Sequence, residues 1–200
     1  MRAMAPLLGI FGGTFDPPHV GHVMAVHYVL LTSKMEAALV VPCASHPFGK
    51  QHSAFERRLE MCRLAFAHLG ERVRVLDIEA RRQGPSYTID TARELRSLHP
   101  DAEFELVIGS DITRELENWR EIDALRAMVR FRVLPRLEEN TAAREGDQDS
   151  PFYLPRVSSS GLRALMREGR WEDMEGRIPA NVLDYIRDNN LYQAERSESV

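Results

Sequence analysis

Over its first 110 residues the chain alternates short apolar runs with stretches of helical periodicity, and this alternation narrows the choice of fold more than any other feature. Leu7 to Phe11, Ala37 to Val41, Val73 to Ile78 and Phe104 to Ile108 read as buried strands, each ended by a glycine, a proline or a polar residue. Between them lie three helical stretches. Val20 to Lys34 carries Val23, Val26, Tyr28, Leu30 and Leu31; Phe55 to His68 carries Leu59, Cys62, Leu64 and Phe66; Thr88 to Leu98 carries Ile89, Ala92 and Leu95. Parallel neighbours need crossover connections and helices supply them, so the expected fold class is α/β: a doubly wound, mostly parallel sheet covered on both faces. Ligands of such sheets sit outside the carboxyl ends of the strands. Gly12 to His22, Pro42 to Lys50 and Gly109 to Asp111 should therefore face one crevice.

Phe131 to Leu134 reads as a fifth strand, Arg136 to Ser150 as an exposed, acid-rich loop, and Phe152 to Leu154 as a short sixth strand. A helix begins at Ser158 and closes at Gly169, and Pro179 opens the last helix through Val182, Tyr185 and Ile186. We expect one domain over residues 1–192, with a C-terminal helical part from about 158 to 192, and a disordered tail over 193–200.

Hydrophobic residues make up 44% of the 200, enough to build a core without disulfides or a structural metal. Acidic residues outnumber basic ones, 30 to 26, which speaks against a protein that coats nucleic acid or an anionic membrane. No apolar run approaches the length of a membrane span, and Ala5 to Phe11 reads as a first strand rather than a signal peptide. Cys43 and Cys62 show no metal or disulfide spacing and fit reduced thiols in a cytoplasmic protein.

The most informative segment is Gly12-Gly13-Thr14-Phe15-Asp16-Pro17-Pro18-His19-Val20-Gly21-His22. Paired glycines at a strand end let the backbone turn sharply and offer its N–H groups to a ligand. His19 and His22, three apart at a helix start, project from one side of its first turn, and Gly21 leaves room for a phosphate or base against the backbone. The helix N-terminus favours an anion there. A zinc pair is the competing reading, but such pairs are usually four apart with further ligands, and no third ligand is evident. A glycine turn with two surface histidines explains either half alone and not the combination.

This segment resembles the T/HxGH signature of the nucleotidyltransferase superfamily, and its full form is similar to that of bacterial nicotinate mononucleotide adenylyltransferases. Three further segments match the family in order: Gly84-Pro85-Ser86-Tyr87-Thr88 with Asp77-Ile78-Glu79 ahead of it, Ile108-Gly109-Ser110-Asp111 followed by Trp119, and Val157-Ser158-Ser159-Ser160-Gly161-Leu162-Arg163. Together they span about Leu8 to Leu191. The resemblance implies a Rossmann-like fold and attack of a mononucleotide phosphate on the α-phosphorus of ATP, with nicotinate mononucleotide as acceptor and nicotinate adenine dinucleotide and pyrophosphate as products. That nucleophile is ionised near neutral pH, so the lack of a general-base constellation agrees with it.

By resemblance, His19 and His22 hold the ATP phosphates, Gly12, Gly13, Thr14 and Phe15 supply backbone donors, and Gly21 lies beside them. Phosphate proximity should favour imidazolium at either histidine. Arg163, with Ser159 and Ser160, converges on the same pyrophosphate; alternatively the serines cap their helix and Arg163 is solvated. Lys50 stands for the family's cation after the second strand, yet Pro47-Phe48-Gly49-Lys50 departs from the usual PPHK or PPHR, with His46 or His52 as substitutes and a plain surface lysine as the alternative. Trp119 would stack on the pyridine ring or pack beside Leu116 and Leu125. Asp111, beside Gly109, would accept from ribose hydroxyls or cap the segment that follows. Ser86, Tyr87 and Thr88 would meet the nicotinate carboxylate, though Thr88 equally starts a helix. The expected metal is Mg²⁺, carried on substrate phosphates rather than in a protein cage. Competing functions keep the chemistry with nicotinamide mononucleotide or phosphopantetheine as acceptor, or keep the fold as a nucleotide sensor without turnover.

Overall fold

Period-two burial along the strands organises the molecule. A computed structural model describes residues 5–45, 52–136 and 153–193. Strands β1 (Leu7–Gly13), β2 (Ala37–Pro42), β3 (Val73–Val75), β4 (Glu103–Gly109) and β5 (Arg130–Leu134) form a five-stranded sheet in the order β3-β2-β1-β4-β5, with every neighbouring pair parallel. Successive side chains alternate between its faces. Phe11, Ala38, Val40 and Val107 enter one buried cluster; Ile10, Leu39, Leu106 and Ile108 enter the other.

Helices cover both faces, as the alternation predicts. Helices α1 (Val20–Thr32), α2 (Phe55–Phe66), α5 (Ser159–Arg167) and α6 (Ala180–Asp188) bury Val29, Met61, Met166 and Ile186 in the first cluster. Helices α3 (Thr88–Leu98) and α4 (Ile122–Met128) bury Ile89, Leu95 and Leu125 in the second. β1 lies at the centre, with β2 on one side and β4 on the other, so the chain's direction of travel across the sheet reverses at β1 and β4. Their carboxyl ends form a topological switch point, where a crevice opens between diverging connections.

Several expectations are corrected. Leu31, counted with the apolar residues at helical spacing in α1, is 70% exposed, whereas Val29, not among them, is buried. The third strand stops at Val75, and Ile78–Arg81 turns into a 3₁₀ segment. There Ile78 joins the second cluster, and Glu79 turns inward to accept from the Ala44 N–H (3.3 Å) and the Thr91 hydroxyl (2.7 Å). α2 ends at Phe66 and continues as a 3₁₀ segment to Arg72. In place of a sixth strand, Leu154 makes an isolated parallel bridge to Arg136; Phe152 lies outside the described residues, as do residues 137–150 of the acidic loop and 194–200 of the tail. Pro179 caps α6 from just outside it, its carbonyl accepting from Val182 and Leu183. Gly169, at φ 76°, ends α5 as expected.

Candidate active site

The turn after β1 is built around Phe15. Its positive φ of 51° turns the ring inward, where it meets the His22 ring edge-on at 4.9 Å and the Phe66 ring at 6.3 Å. A Cβ on Gly13 would lie 3.1 Å from the Phe15 ring, so glycine is what lets this ring fold back. A Cβ on Gly12 would meet nothing within 4 Å: the backbone here stands open to the crevice.

His19 caps α1 and His22 is its third residue, and the rings stack at 3.7 Å, 26° from parallel. The His19 backbone N–H donates to His22 Nδ1 at 3.1 Å. A neutral imidazole that accepts at Nδ1 carries its proton on Nε2, so His22 presents an N–H donor. The same bond occupies one nitrogen of the would-be metal pair, and no group of three metal-ligating side chains occurs among the described residues. Burial, reinforced by the Arg136 charge, lowers His19 to about 3; burial, His19 and Arg136 hold His22 well below its ordinary value. The chain's own groups thus favour neutral imidazole at both, opposite in sign to the push a phosphate exerts. His19 Nδ1 is buried without a hydrogen-bond partner among the described residues. Gly21 lines the crevice, and a Cβ there would meet the His19 ring at 3.1 Å and Pro155 at 3.7 Å.

Two buried charges fix the turn from opposite sides. The Arg58 guanidinium, 2% exposed, donates to the carbonyls of Ser53 (2.9 Å), Thr14 (2.9 Å) and Cys43 (2.6 Å), tying the ends of β1 and β2 to the start of α2. Asp16, also 2% exposed, accepts from the Tyr192 hydroxyl (2.6 Å) and the Ser53 N–H (3.3 Å), with His52 at 3.5 Å and Arg163 at 3.8 Å. Burial raises the Asp16 carboxyl, but these hydrogen bonds and the Arg163 charge outweigh it and hold the group below its usual range.

The opposite wall comes from the carboxyl ends of β4 and β5. Gly109 leads into a 3₁₀ segment, Ser110–Asn118, and the Ser110 hydroxyl accepts the Arg136 N–H at 2.9 Å. The Arg136 guanidinium donates to Asp111 Oδ2 at 3.0 Å, while its Nε is buried without a partner among the described residues. A Cβ on Gly109 would meet Asp111 Oδ1 at 2.3 Å, so glycine admits the carboxylate. Gly12, Phe15, Gly21 and His22 face Gly109, Asp111, Trp119 and Arg136 across a crevice of about 240 Å³ whose floor includes Phe11, Val107 and Leu154. Trp119 lines the crevice and packs in the second cluster with Leu116.

A family model for cytidylyltransferase-like proteins matches residues 10–166. A probable nicotinate-nucleotide adenylyltransferase of Anaeromyxobacter dehalogenans (strain 2CP-1 / ATCC BAA-258) is 37% identical, covering 93% of this chain and 96% of its own. One from Shouchella clausii (strain KSM-K16) is 35% identical, covering 92% and 96%. The chain belongs to the cytidylyltransferase-like family, among its nicotinate-nucleotide adenylyltransferases. The fold agrees: the Plasmodium falciparum nicotinic acid mononucleotide adenylyltransferase complexed with NaAD superposes with a TM-score of 0.77 at 23% identity, covering 94% of this chain and 97% of that one.

Not every residue assigned by resemblance to adenylyltransferases lies on the crevice wall. Arg163 donates to the Asp16 carbonyl at 2.6 Å and the Ser159 hydroxyl to the Pro17 carbonyl at 2.8 Å, so both hold the turn from behind. Ser158 caps α5 by accepting from Gly161, and the Ser160 hydroxyl lies 3.4 Å from that of Ser158. Ser86 exchanges hydrogen bonds with Ser45, tying this segment to the end of β2. Tyr87 caps α3 beneath the Arg120 guanidinium at 4.7 Å, and Thr88 is that helix's first residue. Lys50 and His46 lie outside the described residues, and His52 is occupied with Asp16.

Sequence reasoning missed Arg136, Arg58 and Tyr192. Arg136 had a usable signal, since it follows a strand of a parallel sheet within two residues, but the acid-rich run after it suggested a loop. Arg58 looks like any surface arginine of an amphipathic helix, and Tyr192 acts across 176 residues.

Proposed function

We propose that this crevice transfers the adenylyl group of ATP to nicotinate mononucleotide. A phosphate oxygen of the mononucleotide attacks the α-phosphorus, the bond to the β-phosphate oxygen breaks, and nicotinate adenine dinucleotide and pyrophosphate leave. The observation that carries the reading is the fixed Nε2–H donor of His22 at the first turn of α1, facing Arg136 across the switch-point crevice of an adenylyltransferase chain. Catalysis of this kind needs alignment of two anions and neutralisation of the charge that develops, which preorganised donors supply.

In this reading His22, the backbone of Gly12 to Phe15 and the α1 N-terminus receive the ATP phosphates, with His19 beneath. Arg163 and Ser159 hold the turn in place, Ser160 stands beside them at the start of α5, and Lys50 meets the phosphates from the loop after β2. Asp111 accepts from ribose hydroxyls, Trp119 offers its face to the pyridine ring, and Ser86, Tyr87 and Thr88 meet the nicotinate carboxylate. Imidazoles and a guanidinium are poor magnesium ligands, and the crevice carboxylate Asp111 is paired with Arg136, a donor set that suits an ion arriving on the phosphates. Mg²⁺ bound there would neutralise phosphate charge. Free thiols at Cys43 and Cys62 fit the cytoplasm, and no helix among the described residues is long and apolar enough to cross a membrane.

Pyrophosphate release is measured with ATP, Mg²⁺ and each of three acceptors: nicotinate mononucleotide, its amide and phosphopantetheine. The expected result is fastest turnover with the acid. A faster rate with another acceptor overturns the assignment, and nucleotide binding without turnover overturns the enzyme reading.

A further inference from the structure

The turn that presents the histidines cannot fix itself. Pro17 and Pro18 have no N–H, so the backbone from Asp16 to His19 has few donors of its own and must be held through its carbonyls and side chains. The C-terminal segment supplies that hold. Arg163 and Ser159 take the carbonyls of Asp16 and Pro17, the Arg177 carbonyl accepts the Val20 N–H at 2.9 Å, and the Tyr192 hydroxyl takes the Asp16 carboxylate.

Tyr192 reaches Asp16 by an unfavourable route. α6 ends in a Schellman arrangement: Asn190, at φ 51°, donates to the Arg187 carbonyl and Leu191 to that of Ile186. Tyr192 then adopts φ 62°, a left-handed conformation that costs a bulky residue energy and persists only when its surroundings over-determine it. What this second bend achieves is a 2.6 Å hydrogen bond onto a carboxylate that is 2% exposed. Met61 Sδ lies 3.9 Å from the hydroxyl, and the Ser53 side chain is also beside it.

We propose that Tyr192 is a positioning residue for adenylyl transfer: its hydroxyl holds the Asp16 carboxylate and, through it, the turn that carries His19 and His22. The inference rests on the proposed function for its kinetic readout. It assigns the far C-terminal segment a part in binding the ATP phosphates, while the acceptor side of the crevice does not depend on it.

The test is Tyr192→Phe in the full chain, which keeps the ring and removes only the hydroxyl. A hydrogen bond to a charged group converts to an expected rise of about tenfold in the KM for ATP and a fall of about tenfold in kcat. The acceptor KM should stay within about twofold of wild type. Asp16→Asn and the double variant complete a cycle in which the two effects do not multiply, because they act through one bond. Unchanged ATP kinetics, an equal rise in both KM values, or multiplicative effects each overturn the proposal. ATP affinity measured without acceptor reads the same difference, so failure of the wild-type chain to turn over would sink the function alone, and unchanged ATP affinity in the variant would sink the positioning role alone.

Discussion

The two walls of the crevice are held by opposite means. On the β1–α1 side Asp16, His19 and Arg58 are each 2% exposed, and the contacts that fix them run to backbone groups and to residues distant in sequence. On the β4–β5 side the Asp111 and Arg136 side chains are 47% and 33% exposed, and each is the other's partner. Desolvation on the first wall is completed during folding, so its donors need no reorganisation when a nucleotide arrives. On the second wall, exchanging the partner of a half-exposed pair costs little. The contrast suits a site that grips phosphates rigidly on one side and adjusts to a nucleoside on the other.

Replacing the donor itself should break the first wall most severely. His22→Ala is expected to lower kcat by about 10²–10³-fold, the usual cost of one preorganised donor, with the urea midpoint near wild type. Pyrophosphate release checks it, and an unchanged rate removes His22 from the reaction. Arg58→Met should act on folding instead. It leaves the carbonyls of Thr14, Ser53 and Cys43 without a donor, a loss on the order of 3 kcal/mol in urea unfolding. A loss under about 1 kcal/mol would mean that the first wall is less preorganised than its burial indicates.

The histidines also predict a pH dependence confined to that wall. Their folded values are depressed, so below the unfolded value of 6.5 the unfolded chain binds more protons than the folded one. The contribution to stability is fully present above pH 6.5 and is lost progressively as the pH falls toward the folded values. Each histidine should cost about 1 kcal/mol by pH 5.5 relative to pH 7.5. Urea midpoints across that range measure it, and a His19→Asn/His22→Asn variant should flatten the slope; an equal slope in the variant would assign it elsewhere. The smallest effect belongs to the second wall. Arg136→Gln should raise the KM for ATP by up to about tenfold with the urea midpoint unchanged, and a matching fall in stability would erase the distinction between the walls.

The glycine–histidine turn was legible because its chemistry is contiguous, and the strands because β1, β2 and β4 are buried on both faces and read as apolar runs, that of β4 interrupted at Glu105. β3 was overdrawn because Leu76 and Ile78 continue the apolar pattern after the pairing has ended, their burial coming from the turn rather than the sheet. The Ser110–Asn118 segment and α4 were not resolved as elements, being a 3₁₀ run and a helix of 7 residues, too short to show periodicity. Gly21 shows a different limit: spacing shows that a side chain is missing, but only the fold shows that the His19 ring packs beside it while Gly21 lines the crevice. Arg163 carries the same lesson, since the motif identified the residue while its bond to the Asp16 carbonyl appears only when two segments 147 residues apart are brought together.

That separation has a consequence for how the site comes into being. The five strands of the sheet precede Pro135, and the signature turn is complete by His22, so the segments of the sheet and the motif are synthesised before those of α5 and α6. Until those helices dock, Asp16 lacks Tyr192 and Arg163 and the Pro17 carbonyl lacks Ser159, and the turn has its contacts to Ser53 and Arg58 without those to the C-terminal segment. The full set of contacts behind the phosphate-binding turn therefore comes together only when the C-terminal helices dock and close the first core.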